Sequence, residues 1–122
     1  MEPLNVYEVL RAYVQCALWS STDDNDDTLD SNYSEDDLAL ETIFKMTEDV
    51  QKFVSANSHL FKTWKGKTSI EEQTGHDFWF TRNRHGVGFW EREWGEEGKE
   101  LTESAHTFGE AYLYEHEGKI YQ

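Results

Sequence analysis

Apolar residues at three- and four-residue spacing open the chain. They are Val6, Leu10, Tyr13, Val14, Ala17 and Leu18. Because residues with this spacing share one face of a helix, the pattern predicts an amphipathic helix that ends at about Ser20. Asn5 precedes the helix as a predicted N-cap, and Glu8 stands where a capping box needs a carboxylate.

A second helical stripe follows a polar, acidic loop over residues 21 to 34. Its positions are Leu40, Ile43, Thr47, Val50 and Val54. Ser34 and Asp37 have the spacing of a capping box, so we predict a helix that begins at Ser34 and ends at about Asn57. Residues 58 to 74 contain several lysines, show no clear period and are predicted to form an irregular connection.

The period then changes to two. Phe78 and Phe80 fall on one side of the chain and their neighbours on the other, a pattern typical of a strand. Residues 83 to 86, Asn-Arg-His-Gly, suit a type I turn. A hairpin over residues 76 to 93 is therefore predicted, with its second strand from about Val87 to Glu93.

The C-terminal part shows a short helix and a second hairpin. Leu101, Ala105 and Phe108 have helical spacing, which predicts a helix capped by Thr102 and ended by Gly109. The last residues are predicted to form a small hairpin around Glu117-Gly118.

These elements predict one domain over residues 1 to 122. The predicted class is α+β, with two N-terminal helices packed on a small antiparallel sheet and a short third helix. A chain of 122 residues, 37 % of them hydrophobic, is long enough for a single core.

The charge balance narrows the possible partners. With 25 acidic and 11 basic side chains the net charge is -14. This field repels phosphate, so it disfavours direct contact with nucleic acid or anionic membranes and favours a basic protein partner. Carboxylates spaced like backbone phosphates could compete for a DNA channel, so a basic protein that acts on nucleic acid is the predicted partner. The candidate partner-binding residues are Asp23, Asp24, Asp26, Asp27, Asp30, Glu35, Asp36 and Asp37.

Cysteine usage and hydropathy bear on the compartment. Cys16 is the only cysteine, so no intramolecular disulfide framework exists and a reducing compartment suits the chain. No apolar run approaches the roughly 20 residues that span a bilayer, and the N-terminus lacks the basic start of a signal peptide. The sequence predicts a cytoplasmic protein without a cofactor.

A catalytic or ligand-binding alternative uses the histidines and arginines near residue 80. In this alternative His76 and His85 transfer protons, Arg82 and Arg84 contact an anion, and Asp77 orients a histidine. No nucleophile, carboxylate pair or phosphate loop accompanies them. The arginines could instead pair with nearby acids such as Glu91 or Glu93.

Two metal-binding alternatives stay open. Residues 24 to 35 place oxygen ligands along a twelve-residue loop, the layout of a calcium site, although position 6 is Leu29 where the sharp turn needs glycine. The candidate calcium ligands are Asp24, Asp26, Thr28, Asp30 and Glu35. Imidazole and carboxylate also suit zinc, but the spacing matches no known ligand pattern. The candidate zinc ligands are His76, Asp77, His85, His106 and His116.

Three stretches carry a resemblance to a known family. They are ALWSSTDDNDDTLDSNYSEDDLA, GHDFWFTRNRHGVGFWERE and LTESAHTFGEAYLYEHEGKIY. The chain resembles small uncharacterised proteins encoded by tailed bacteriophages and prophages, over most of its length except residues 58 to 70. Such relatives tend toward Asn-Gly-His-Gly where this chain has Asn83-Arg84-His85-Gly86. The resemblance implies no activity; it implies a phage protein that acts in the cytoplasm of an infected bacterium.

Overall fold

The computed structural model describes residues 4–64, 66–91 and 94–122. Its helices and strands, in chain order, are α1 Val6–Ser20, α2 Leu40–Ala56, α3 Ile70–Arg82, α4 Glu97–His106, β1 Tyr114–His116 and β2 Lys119–Tyr121. Short 3-10 turns cover Leu29–Ser31, Glu35–Asp37 and Ser58–Thr63. The combination of helices with a small antiparallel sheet agrees with the α+β class, but the number and arrangement of the helices differ from the prediction.

Helix α1 is confirmed at both ends. The Asn5 side chain accepts a hydrogen bond from the Glu8 amide, and the helix ends at Ser20. The reciprocal bond of the predicted capping box is replaced, because the Asn5 amide donates to the Glu71 carboxylate of α3 (3.2 Å). Its predicted stripe is largely buried, with Tyr13 and Ala17 fully inaccessible to solvent. The local capping signal and the apolar spacing agree here, so sequence alone located the helix.

The predicted hairpin over residues 76 to 93 is wrong, because Phe78 and Phe80 lie in α3. Ser69 caps this helix by accepting from the Glu72 amide. Phe78 stacks on Phe53 of α2, with ring centroids 4.2 Å apart, and the adjacent Trp79 is buried as well. A helix that buries side chains on several sides loses its one-sided stripe, so its sequence can imitate a strand.

The second strand of that hairpin is also absent from the described residues. Residues 87 to 91 form turns and bends, whereas Arg92 and Glu93 lie outside the described residues. Phe89 is nevertheless fully buried, and its ring packs 5.4 Å from that of Phe53. The segment after α3 therefore folds back onto the helices without pairing as a sheet.

Residues 83 to 86 end α3 instead of forming the predicted type I hairpin turn. The His85 amide donates to the Phe80 carbonyl (2.9 Å) and the Arg84 amide to the Thr81 carbonyl (3.0 Å). Arg84 has a φ of 58°, so it occupies the left-handed position of a Schellman motif, where glycine is usual. The Asn-Arg-His-Gly stretch is a helix C-cap.

The starts of two further helices differ from the predicted positions. The Ser34–Asp37 capping box exists, but it caps the 3-10 turn, and α2 begins only at Leu40. Asn57 does end α2, as predicted. Helix α4 starts before the predicted cap, Thr102, whose hydroxyl donates to the Gly98 carbonyl within the helix.

Residues 58 to 74, predicted to be irregular, comprise the third 3-10 turn and the first turn of α3 among the described positions. The Ser69 cap that starts α3 lies inside this stretch. The start of the helix was missed because residues 70 to 74 contain one large apolar side chain, Ile70, and therefore show no helical period.

The C-terminal hairpin is confirmed. Glu115 pairs with Ile120 in β1 and β2, and Glu117 and Gly118 both have positive φ at the turn, as tight hairpins require. The hairpin is attached to the start of α2, where the Ala39 amide and the Thr42 hydroxyl donate to the Ile120 carbonyl. The sheet therefore lies against one end of α2 instead of underlying both N-terminal helices, and the most extensive helix-helix packing is between α1 and α3.

Helices α1 and α3 approach closely at Gly75. A Cβ at this position would overlap the Val9 carbonyl oxygen and lie 2.7 Å from the Tyr13 amide nitrogen. Glycine therefore allows the backbones of α1 and α3 to approach closely. This contact fixes the position of one helix relative to the other. No helix among the described residues is long and apolar enough to cross a lipid bilayer.

Candidate functional site

The acidic loop after α1 is an ordered structure. Leu29 is fully buried, and its amide donates to the Ser21 carbonyl. One Asp23 carboxylate oxygen accepts from the amides of Asn25 (2.8 Å) and Asp27 (3.1 Å). An apolar anchor and a carboxylate-capped turn thus fix the path of the loop.

The eight predicted partner-binding carboxylates divide into two groups. Asp23 caps the turn, Asp30 accepts from the Thr28 hydroxyl (2.7 Å), and Asp37 accepts from the Ser34 amide (2.9 Å). The other five, which accept no side-chain hydrogen bond described here, are Asp24, Asp26, Asp27, Glu35 and Asp36. These five and Asp30 are solvent-exposed. Among the described residues, no lysine, arginine or histidine lies within ion-pair distance of any of the eight. The loop therefore presents fixed negative charge to solvent.

The calcium-loop alternative is not supported by this geometry. Leu29, at the position that needs glycine, begins a 3-10 turn and enters the hydrophobic core. Over the described ranges, no group of three or more His, Cys, Asp or Glu side chains is arranged to hold a metal ion. The loop closes on an apolar side chain and offers no such group, and the histidine-based zinc alternative likewise lacks a ligand cluster among the described residues.

Arg82 has a structural role that its sequence position did not reveal. It is 3 % exposed. Its guanidinium donates to an Asp49 carboxylate oxygen, to the Tyr13 hydroxyl and to the carbonyls of Phe108 and Gly109, at 2.8 to 3.1 Å. With its donors engaged in the protein interior, Arg82 is not available as an anion contact, and it pairs with Asp49 instead of Glu91.

Asp77 is also internal. Its carboxylate accepts from the Trp94 indole (2.6 Å) and the Gln73 amide (3.0 Å). Burial raises the pKa of Asp77, and these two hydrogen bonds oppose that rise. The adjacent His76 is half-buried and lines a surface pocket with Asp77.

The structure does not assemble the predicted catalytic group. His85 is exposed, its ring lies 5.2 Å from that of Phe80, and it lines a different pocket from His76. Arg84 is exposed at the helix cap. Cys16 offers no nucleophile, because burial raises the pKa of its thiol to about 12. Of the proposed set, only His76 and Asp77 share a pocket.

A groove that the sequence did not indicate lies beside the acidic loop. It has a volume of about 860 Å³. Trp19, in the last turn of α1, is 61 % exposed and packs edge-to-face on Phe80 of α3. Tyr33, Asp30 and Glu35 line the groove from the side of the acidic loop. Three separate segments form this surface, so no local sequence motif predicts it. The one sequence feature that points to it is a tryptophan, Trp19, beside the apolar stripe of α1.

Comparison of the chain with protein-family models, with curated proteins and with solved structures found no match.

Proposed function

We propose that this protein binds a basic surface on another protein through its acidic loop, and that it modulates that partner without catalysing a reaction. One observation carries the proposal: six exposed carboxylates stand between residues 24 and 36, on a segment held in place by Leu29 and Asp23, without a basic neighbour among the described residues. Their mutual repulsion is relieved when a cationic surface approaches.

Order in the loop favours binding. A segment that is already folded loses less conformational entropy on association than a flexible one. The net charge of -14 also attracts a basic partner over a distance and speeds encounter. Affinity and association rate should both fall as salt is added.

The partner we propose is a host protein that acts on nucleic acid, with the carboxylates taking the place of backbone phosphates. The family resemblance adds a setting to this proposal, namely the cytoplasm of an infected bacterium. The catalytic alternative has less support, because Arg82 and Asp77 are both committed to internal hydrogen bonds.

The test is capture from bacterial lysate by three immobilised proteins. They are the wild type, a loop variant with Asp24→Asn, Asp26→Asn and Asp27→Asn, and a control with Glu41→Gln, Glu100→Gln and Glu103→Gln. Both variants lose three charges from exposed positions, and the loop substitutions remove no side-chain hydrogen bond described for these residues.

We expect wild type and control to retain the same partner at low salt, and the loop variant to lose it. Duplex DNA should elute that partner, because it competes for the same basic surface. Equal capture by the loop variant, or no partner at any salt, would overturn the proposal.

A further inference from the structure

We propose that the groove beside the acidic loop binds a peptide segment of the partner in which a large apolar side chain is flanked by lysine or arginine. We call it the aromatic groove and define it by Trp19, Tyr33 and Phe80. This inference rests on the proposed function and states which chemical feature of the basic partner is recognised.

The aromatic groove has the size and lining of a binding site. Its volume of about 860 Å³ lies within the roughly 300–1,000 Å³ typical of ligand pockets. Val14 and Leu18 of α1 also line it. Trp19 and Val87 leave 61 % and 46 % of their surface in water, and contiguous exposed apolar surface of this kind marks interaction sites. A large apolar side chain from a partner would remove part of this surface from water.

Charge at the loop end of the groove identifies the residues that flank this side chain in the partner. Asp30 and Glu35 line the groove at that end. His76, Phe80 and Val87 also line an adjoining pocket, where the carboxylate of Glu91 lies with Lys67. An apolar surface beside the carboxylates of the loop end complements a segment in which a large apolar side chain lies next to basic residues.

The rings add a second attraction for cations. A guanidinium or ammonium group gains energy over the face of an exposed tryptophan, and Trp19 is such a residue. The same carboxylates repel phosphate, which disfavours a nucleotide or an anionic lipid surface as the occupant. Lys67 and His76 line the adjoining pocket, so the loop end of the groove is more anionic than that pocket.

The test uses three fluorescein-labelled pentapeptides and fluorescence anisotropy at low salt. The first has two basic residues on each side of a central phenylalanine, the second has glycine at the centre, and the third keeps phenylalanine but has acidic flanks. We expect the first peptide to bind at least tenfold more tightly than the second, and the third not to bind.

Protein variants locate the contact. Trp19→Ser should weaken the phenylalanine peptide about tenfold and the glycine peptide less, because the glycine peptide loses only the attraction between its cations and the ring. Tyr7→Ser, at a similarly exposed aromatic on α1, should change neither. The pair Asp30→Asn with Glu35→Gln should weaken both basic peptides; Glu100→Gln with Glu103→Gln is its control.

A nuclear magnetic resonance titration tests the same contact without any substitution. On addition of the phenylalanine peptide, the indole N–H signal of Trp19 should shift, whereas that of the fully buried Trp94 should stay in place.

Two negative results have different meanings. Equal binding of the phenylalanine and glycine peptides, with an unmoved Trp19 signal, overturns the aromatic groove and leaves the acidic-loop proposal standing. Failure of every basic peptide to bind at low salt, together with failed capture from lysate, overturns both.

Discussion

Arg82 and Asp49 form a buried ion pair that joins α3 to α2. The guanidinium Nη1 lies 2.8 Å from the carboxylate Oδ2, and both side chains are 3 % exposed. The other oxygen of Asp49 lies 3.1 Å from the ammonium group of Lys45, and the guanidinium also contacts the faces of the Phe78 and Phe108 rings. The buried guanidinium of Arg82 therefore helps to hold α3 against α2.

Replacement of Arg82 by methionine should lower the free energy of unfolding by about 3–5 kcal/mol, because it removes the buried partner of the Asp49 carboxylate. Lys45, whose side chain is exposed, is then the only cation beside that carboxylate among the described residues. Urea denaturation measures this loss. Asp49→Leu added to Arg82→Met should recover part of it. Arg84→Gln, at an exposed arginine two residues away, should have little effect by comparison. A loss below about 1 kcal/mol would contradict a buried pair.

Gly75→Ala should destabilise the protein although alanine is the better helix former. The new methyl group must displace the backbone of Val9 and Tyr13, and overpacking of this kind costs about 1–3 kcal/mol, which exceeds the helix-propensity gain of about 1 kcal/mol. Gly86→Ala is the matched control, since a Cβ there meets nothing within 4 Å. In thermal melts, the melting temperature of Gly75→Ala should be lower than that of wild type, whereas that of Gly86→Ala should be unchanged.

Arg84→Gly should stabilise the protein by about 0.5–1 kcal/mol, because glycine adopts the left-handed conformation without the steric cost that other residues bear. The φ of 58° at this position motivates the substitution. Arg84→Ala separates backbone strain from loss of charge, since alanine keeps the Cβ. If both variants were equally stabilised, charge and not conformation would be the cause.

Asp77 should make stability fall as the pH rises above its unfolded-state pKa. Burial raises the pKa of Asp77 above 3.8, so in the window between that value and the raised pKa the folded state binds more protons than the unfolded state. Over this window the free energy of unfolding of wild type, relative to Asp77→Asn, should decrease with pH and then level off.

A second variant checks the assignment to Asp77. Gln73→Leu removes a hydrogen bond that lowers the pKa of this carboxyl, so the decrease should extend to higher pH. Urea denaturation at several pH values gives both profiles. Parallel profiles for wild type and Asp77→Asn would rule out the raised pKa.

Local signals determined the elements that the sequence located correctly. Asn5 and the apolar stripe after it locate α1, and Glu117-Gly118 locates the C-terminal turn. In both cases the deciding interactions join residues only a few positions apart. The sequence also determined the sign and location of the charge, since the acids of residues 21 to 37 remain acidic in any fold.

Tertiary structure alone decided the remainder. Phe78 and Trp79 belong to a helix because partners on different sides, Phe53 and Ser20 among them, accept neighbouring side chains. The Arg82 side chain is buried because it pairs with Asp49, which is 33 positions away in the sequence. The order of the acidic loop depended on a core able to receive Leu29, and the aromatic groove exists only where α1, α3 and that loop meet. Contacts between distant residues are selected by the packing of the whole chain, so no local pattern records them.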